Sequence, residues 1–246
     1  MDDFDFPDLA NAPADQDLIA VGQFDTTGEP VALTPGGIWP KLVVDGSNWN
    51  VQVILAAYRR GIFPMPLDAI ESPNVISWWS PNPRGVLNPA KLRVTRSLKQ
   101  SMKKYRVTVD QNFEQVIRSC ANPERSSGWI TQDVVEAYLE LHELGYAHSI
   151  EAWDKSGALV GGLYGLELGG LFAGESMFHK AADASKVALA ELAKIMDDDS
   201  GRLIDCQWKT EHLASLGVQE ISRMAYLSGL PKLLKMEPKF QAPSAM

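Results

Sequence analysis

The sequence predicts an α+β fold, and two features of its second half carry that prediction. The first is a series of strand-forming segments separated by turns, Tyr146–Trp153, Ala158–Tyr164 and Leu171–Phe178, which fits a three-stranded antiparallel meander. The second is a helical pattern that Asp183 can cap and that runs to about Met196, followed by a further strand at Leu203–Gln207. A block of strands combined with helices in this way indicates separate layers of sheet and helix.

The composition fits a globular protein and leaves a nucleic-acid partner open. The chain has 246 residues, of which 45% are hydrophobic, enough for one large domain or two modest ones. Its formal charge is −8, from 23 basic and 31 acidic residues. Eight of the acidic residues precede Lys41 and no basic residue does, so the rest of the chain carries equal numbers of both signs.

Several common classes of site and location are not indicated. Two cysteines, Cys120 and Cys206, give no disulfide framework and no metal cluster. There is no signal segment and no long uncharged apolar run, so we expect a soluble cytoplasmic protein. A Walker A loop and a dinucleotide fingerprint are also missing, so we expect no nucleotide hydrolysis and no redox cofactor. The histidines lack metal-ligand spacing and are predicted to be structural; they are His142, His148, His179 and His212.

The N-terminal third is predicted to hold an acidic tail and a small amount of regular structure. The first fifteen residues read as disordered, with short strands at Ile19–Phe24 and Val31–Leu33. Asn50–Arg60 has an apolar stripe at helical spacing, and Gly61 follows as a stop signal. Ile76–Leu87 contains two prolines and two adjacent tryptophans, and is predicted to be a fixed aromatic connector between domains.

The remaining segments alternate between helix and strand. We predict helices at Ser97–Tyr105, Phe113–Cys120, Thr131–Gly145 and Thr210–Leu216, and short strands at Val107–Val109 and Val218–Ile221. The tail after Leu230 is rich in proline and lysine and shows no clear structural pattern.

A run of cations without any acidic residue is the clearest charge feature. Such a run is often a solvated face, but its length without a counter-charge favours binding to phosphates. The eight candidate phosphate-binding residues are Arg84, Lys91, Arg93, Arg96, Lys99, Lys103, Lys104 and Arg106.

Glu175 is the first candidate for chemistry. If Leu171–Phe178 is a regular strand, Leu171, Ala173, Glu175 and Met177 share one face. A carboxylate among apolar neighbours loses hydration and needs a partner or a shifted pKa. The alternative is an exposed glutamate at the end of a strand.

A second acidic strand supplies two further candidates. Asp205 and Gln207 point to one face of Leu203–Gln207, roughly 6.5–7 Å apart. Their side chains could bond to each other or hold one substrate at two points. The alternative is that Asp205 only caps the following helix. Cys206 points the other way and is predicted to pack in the core.

Eight short motifs, in order along the chain, resemble the bacterial leucyl/phenylalanyl-tRNA–protein transferase family. The resemblance runs from about Val51 to Tyr226 and leaves out the acidic N-terminus and the lysine-rich C-terminus. The motifs are GIFP (Gly61–Pro64), WWSPNP (Trp78–Pro83) with Arg84, WIT (Trp129–Thr131), VVEAYLELHELGYAHSIE (Val134–Glu151), GESMF (Gly174–Phe178), ASK (Ala184–Lys186), DCQ (Asp205–Gln207) and HLASLG (His212–Gly217).

The resemblance implies an α+β chain of two domains and a transfer reaction. Residues 1–83 would form the acidic tail and a small α/β domain, and residues 84–246 a catalytic domain like the GNAT (acyl-CoA N-acyltransferase) fold. The implied activity moves Leu or Phe from aminoacyl-tRNA to an acceptor protein with N-terminal Arg or Lys, which marks that protein for degradation. Since the aminoacyl ester is already activated, no metal or other cofactor is expected, and we expect a monomer.

The resemblance also implies roles for particular residues. Asp205, Gln207 and Glu175 match catalytic positions, and the basic run would contact tRNA. Met65 stands where the family often has Trp, so stacking of the terminal base would differ there, since a thioether has no π-face. Residues matching the binding of the tRNA 3′ end and of the amino acid are Trp129, Tyr138, Leu163, Met177, Leu189, Leu192 and Met65.

Alternatives remain open for the proton and for the function. Asp205 could accept the proton of the acceptor amine or polarise Gln207, and the ribose hydroxyl of the tRNA could assist equally well. An acyl-CoA-dependent N-acetyltransferase would need a glycine-rich pyrophosphate loop, and the sequence contains none. A non-catalytic RNA-binding module would leave Glu175, Asp205 and Gln207 unexplained.

Overall fold

The chain combines a small sheet and a large sheet with helices on both faces. The computed structural model describes residues 18–21, 51–68, 72–122 and 129–241. The predicted disorder of the first fifteen residues and the predicted strand at Val31–Leu33 lie outside the described residues. No helix in the described ranges is long and apolar enough to cross a membrane.

The small sheet has three antiparallel strands in the order β1-β3-β2. They are β1 (Leu18–Val21), β2 (Phe63–Asp68) and β3 (Ser72–Ser80), and helix α1 (Val51–Tyr58) precedes β2. Helix α1 confirms the apolar pattern of Asn50–Arg60, since all its residues except Gln52 are buried. The predicted aromatic connector at Ile76–Leu87 is wrong. Trp78 and Trp79 belong to β3, and a further strand begins at Arg84.

The large sheet has seven strands in the order β10-β4-β9-β8-β7-β6-β5. The predicted meander is confirmed, since β6, β7 and β8 pair antiparallel with their neighbours in sequence. Strand β9 then returns parallel to β8. The strands are β4 (Arg84–Leu87), β5 (Arg106–Val109), β6 (Ala147–Trp153), β7 (Leu159–Leu168), β8 (Leu171–His179), β9 (Leu203–Gln207) and β10 (Gln219–Ile221).

Helices cover both faces of this sheet, which confirms the α+β class. Helices α1, α3 and α4 share one core with Tyr164 and Ala173, and α2 and α5 share another with Leu163 and Phe172. Neighbouring strand residues therefore face opposite layers, as the pleat requires. The remaining helices are α2 (Arg96–Met102), α3 (Phe113–Cys120), α4 (Gln132–Glu143), α5 (Ala184–Met196), α6 (Glu211–Ser215) and α7 (Arg223–Leu233).

Two predictions for local structure are wrong. The chain after Leu230 has structure: α7 continues through Pro231 to Leu233, and Phe240 packs in the core beneath α5. Asp183 precedes α5 but makes no capping hydrogen bond, because its backbone is left-handed, with φ of 60°. Its carboxylate binds Lys186 and accepts a hydrogen bond from Ser101 of α2 instead.

A β-bulge in β8 replaces the regular alternation predicted for that strand. Tyr164 pairs with Ser176 and Gly165 pairs with Gly174, so Glu175 is the extra residue. Beyond the bulge the faces exchange. Met177 lies against the α5 core, whereas Ala173 shares the α1 and α4 core, so the predicted common face is wrong.

The bulge lies where β8 and β9 part. Their described pairing ends with Ala173 opposite Asp205, although both strands continue beyond that pair. Beyond this pair the two strands border a cavity. Glu175 and Gln207 line it, and Asp205 lies buried at the last pair before it.

Candidate active site

A largely apolar cavity of about 260 Å³ occupies the space between β8 and β9. Four residues predicted to surround the donor amino acid lie together in its wall, namely Leu163, Met177, Leu189 and Leu192. They come from β7, β8 and two successive turns of α5, which the topology places around one opening. Polar groups are contributed by Glu175, Ser176, Gln207, Thr210 and His212.

Asp205 is the centre of a buried hydrogen-bond network. Its side chain is 0% exposed and forms a two-point ion pair with Arg84, with N–O distances of 2.9 and 2.6 Å. Tyr226 of α7 donates to Oδ2 at 2.9 Å, and the backbone N–H of Gln207 donates to Oδ1 at 3.0 Å. Each carboxylate oxygen therefore accepts two hydrogen bonds. No lone pair remains for a substrate proton.

Gln207 presents a side-chain amide to the cavity. Its backbone is left-handed, with φ of 57°, and the bond from its N–H to Asp205 fixes this conformation at the end of β9. The residue is 9% exposed, and its Nε2 has no hydrogen-bond partner in the described part of the chain. A buried donor without a partner is costly, which is typical of a group that is satisfied by a ligand.

Glu175 lies on the wall of the cavity and is held by two tyrosines. Tyr58 of α1 donates to Glu175 Oε1 at 2.6 Å, and the hydroxyls of Tyr58 and Tyr138 are 3.0 Å apart. Loss of hydration raises the pKa of Glu175 to about 7, although the hydrogen bonds from both phenols act in the opposite direction. Glu175 is therefore a carboxyl group that changes charge near neutral pH.

Arg84 is buried, unlike the other cations of the predicted phosphate-binding run. It is 1% exposed, and besides the pair with Asp205 it donates to the backbone carbonyl of Gly61 at 3.1 Å. Its guanidinium lies between the rings of Phe63 and Tyr226, 4.8 and 4.6 Å from their centroids. It cannot reach a phosphate from this position, so the prediction for Arg84 is wrong.

The other seven cations of the run are exposed. No ion pair joins any of them to a carboxylate within the described ranges. The segment adjoins α5, which lines the cavity, since Ser101 of α2 donates to Asp183 just before α5. The seven are Lys91, Arg93, Arg96, Lys99, Lys103, Lys104 and Arg106.

The predicted aromatic contacts to the tRNA 3′ end are not assembled at the cavity. Tyr138 is 0% exposed and bonds to Tyr58, so its ring is not available for stacking on a base. Trp129 and Met65 are half-buried and are not among the residues lining this cavity. Sequence patterns gave no signal for Tyr58, which lies at the end of α1 and contacts Glu175.

Two of the four histidines have structural contacts, and a third lies at the cavity. His148 bonds to Asp110 at 2.7 Å and to the carbonyl of Gly145 at 3.2 Å, and His142 bonds to the carbonyl of Ala147. His212 instead lines the cavity, and burial lowers its pKa, with a smaller contribution from nearby Lys186.

Cys206 packs against the core that contains α5, as predicted, and it lines the cavity as well. Burial raises the pKa of its thiol, followed by the negative charge of Asp205. The thiol therefore stays protonated and is a poor nucleophile.

An apolar cavity bounded by an amide donor and a titrating carboxyl is characteristic of an enzyme that holds an apolar group beside reacting polar atoms. Comparison with known families makes this class specific. The family described as leucyl/phenylalanyl-tRNA protein transferase matches residues 86–231, and its N-terminal domain matches residues 50–82. The chain belongs to this family of aminoacyltransferases, which confirms the resemblance seen in the motifs.

Curated relatives support the same assignment over most of the chain. A leucyl/phenylalanyl-tRNA–protein transferase of Azoarcus sp. (strain BH72) is 48% identical over 195 residues, covering 78% of this chain and 81% of the relative. The protein of the same name in Legionella pneumophila (strain Corby) is 50% identical over 201 residues, covering 80% and 88%. That of Anaeromyxobacter dehalogenans (strain 2CP-C) is 47% identical over 212 residues, covering 84% and 87%.

Solved structures are more distant. The structure of L-PGS from Bacillus licheniformis is 12% identical with a TM-score of 0.36, covering 54% of this chain and 49% of that one. A functionally unknown conserved protein from Staphylococcus epidermidis ATCC 12228 is 11% identical with a TM-score of 0.40, covering 74% and 66%. TM-scores this low do not establish a shared fold, so the α+β class rests on this chain's own sheets and helices.

Proposed function

We propose that this chain transfers Leu or Phe from aminoacyl-tRNA to the N-terminal amine of an acceptor protein that begins with Arg or Lys. The observation that carries the proposal is the cavity between β8 and β9. In a chain of this family, it combines an apolar wall suited to a Leu or Phe side chain with Glu175 and Gln207 at its edge.

The donor side chain is selected by shape. Leu163, Met177, Leu189 and Leu192 offer long, flexible apolar groups and no hydrogen bond to a polar side chain. In a γ-branched or aromatic side chain, the bulk begins one carbon farther from the ester carbonyl and can reach these apolar groups. A β-branched group places its bulk beside the carbonyl. We therefore infer a preference for Leu and Phe over Ile and Val, with Met accepted.

Gln207 stabilises the developing oxyanion in this proposal. When the amine attacks the ester carbonyl carbon, the carbonyl oxygen gains negative charge, and a donor aimed at that oxygen lowers the barrier. The unpartnered Nε2 of Gln207 is suited to this task. Asp205 acts through Gln207, because its carboxylate holds the backbone N–H of Gln207 and is saturated by Arg84 and Tyr226.

Proton transfer falls to Glu175. The reaction forms a C–N bond, breaks the bond between the carbonyl carbon and the ribose oxygen, and moves one proton from nitrogen to that oxygen. Glu175 is the carboxyl group in the described cavity wall that can accept and return this proton, and its pKa of about 7 suits both steps. No net acid, base or metal is consumed.

The exposed basic segment supplies the tRNA-binding surface. Its seven exposed cations lie on the segment that adjoins α5, so phosphates can be held while the 3′ end enters the cavity. Such contacts position the tRNA without reading its sequence. We further propose that the chain acts as a monomer in the cytoplasm and needs no cofactor.

An aminoacyl-transfer assay tests the proposal. Purified protein is incubated with labelled Leu-tRNA and a peptide that begins with Arg, and a matched peptide that begins with Ala serves as the control. Label should appear in the Arg peptide only. Binding of tRNA without transfer would support the RNA-binding alternative, and acetylation from acetyl-CoA would support the acetyltransferase alternative.

A further inference from the structure

Glu175 is held from outside the sheet that carries it. The bulge removes Glu175 from the ladder between β7 and β8, so the strands alone do not fix its side chain. The contact that does so comes from α1, where Tyr58 donates to Oε1 at 2.6 Å. A phenol has one proton, and Tyr58 uses it on Glu175. The hydroxyl of Tyr138 lies 3.0 Å from that of Tyr58 and also favours the ionised form of Glu175.

We propose that Tyr58 is a positioning residue, whose hydroxyl fixes the Glu175 carboxylate at the cavity and so makes helix α1 part of the reaction centre. This inference rests on the function proposed above, in which Glu175 moves the proton.

The surroundings of Tyr58 suit a fixed donor. Tyr58 and Tyr138 are 1% and 0% exposed, so water does not compete for their hydroxyls. The end of α1 is held in place, since Gly61, three residues later, has φ of 78° and its carbonyl accepts a bond from Arg84. Arg84 in turn binds Asp205. One short segment of chain thus connects to both carboxylates of the site.

Several charged or titratable groups surround Glu175. The donors from Tyr58 and Tyr138 favour the ionised carboxylate, as does the charge of Arg84, whereas burial and the charge of Asp205 oppose it. Removing the Tyr58 hydroxyl therefore raises the pKa of Glu175 further. Groups facing Glu175 from the neighbouring elements, or sharing its cavity, are Tyr58, Tyr138, Arg84, Asp205, Cys206 and His212.

The test compares Tyr58→Phe with wild type in two independent measurements. In the first, kcat and KM for transfer are measured from pH 6 to pH 9. We expect the acid limb of kcat to move to higher pH. For a rise of one pKa unit, the ionised fraction of Glu175 falls about fivefold at pH 7 and nearly tenfold at pH 6, and kcat should fall by the same factors and recover in alkaline buffer. The KM for aminoacyl-tRNA should change by less than about twofold, since the phenol does not line the cavity.

The second measurement does not need activity. Protein labelled with ¹³C at glutamate carboxyls is titrated by NMR, and the Glu175 signal is assigned by its loss in Glu175→Gln. The midpoint should rise in Tyr58→Phe. Tyr105→Phe is the matched control, because Tyr105 donates to the carbonyl of Ala182 and does not contact Glu175. In the Glu175→Gln background, Tyr58→Phe should cause no further change in the pH profile.

The outcomes separate this inference from the proposed function. An unchanged midpoint and an unchanged pH profile, in a chain that does transfer Leu, would overturn the role of Tyr58 and leave the function standing. A raised midpoint in a chain that transfers no amino acid would support the positioning by Tyr58 and overturn the proposed function.

Discussion

Replacing Glu175 by Gln should remove a pH-dependent loss of stability. Burial raises the pKa of this carboxyl from its ordinary value of 4.5 to about 7 in the folded protein. The folded state therefore holds the proton more tightly than the unfolded chain. The stability that Glu175 contributes is complete below pH 4.5 and is lost as the pH rises through 7. Gln keeps the shape of the side chain but does not ionise.

The expected size follows from the two pKa values. The difference between 4.5 and 7 corresponds to about 3 kcal/mol in total, of which about 2.5 kcal/mol falls between pH 5 and pH 8. For a chain of 246 residues, this is a change of roughly 5–10 °C in Tm. Between these pH values, Glu175→Gln should therefore gain stability relative to wild type by that amount.

Urea unfolding followed by tryptophan fluorescence, in steps of half a pH unit, measures this difference. Glu143→Gln is the control for loss of one negative charge, since Glu143 is exposed at the end of α4. Its stability curve should run parallel to that of wild type. Parallel curves for Glu175→Gln and wild type would refute the reasoning, because Glu175 would then ionise in the folded protein as it does in the unfolded chain.

Three further variants test the proposed reaction. Gln207→Ala should lower kcat by about 10²–10³-fold with little change in KM for tRNA, as expected for one oxyanion donor; an equal loss of tRNA affinity would argue for a structural role. Met177→Ala should reduce the preference for Leu over Val by roughly 10-fold or more in mixed aminoacyl-tRNA competition, and the exposed Met224→Ala serves as control; equal use of all donors by wild type would contradict the pocket. The third variant combines Lys99→Glu, Lys103→Glu and Lys104→Glu, which reverses charge in the basic segment. It should raise the KM for tRNA and reduce the slope of log KM against log salt concentration by about 2–3. An unchanged slope would place the tRNA elsewhere.

The sequence predicted the strands and the candidate residues better than their arrangement. The meander and β9 follow from alternation and turn signals, and Glu175, Asp205 and Gln207 all lie at the space between β8 and β9. The bulge at Glu175 cannot be recognised from the alternation of side chains along the strand. The residues that pair beside it, Gly165 and Gly174, are glycines and have no side chain that would interrupt the alternation. The sequence therefore placed Met177 and Glu175 on one face.

Burial explains the other errors. Arg84 is one cation among eight in the sequence, and only tertiary structure shows that Asp205, 121 residues away, neutralises it. Asp205 was a candidate proton acceptor, but its four hydrogen bonds come from three different elements that no local pattern connects. Tyr58 looked like one more apolar residue of α1. Pro231 suggested that regular structure had ended, yet it lies within the last turn of α7.

Arg84 bears on whether the two family-matched segments can exist apart. It is the first residue of β4, yet it is packed against Phe63 and bonded to Gly61, both of which belong to the earlier segment. A fragment that begins at residue 84 would keep the Arg84–Asp205 pair but expose one side of it to water. The two family-matched segments are therefore expected to fold as one unit.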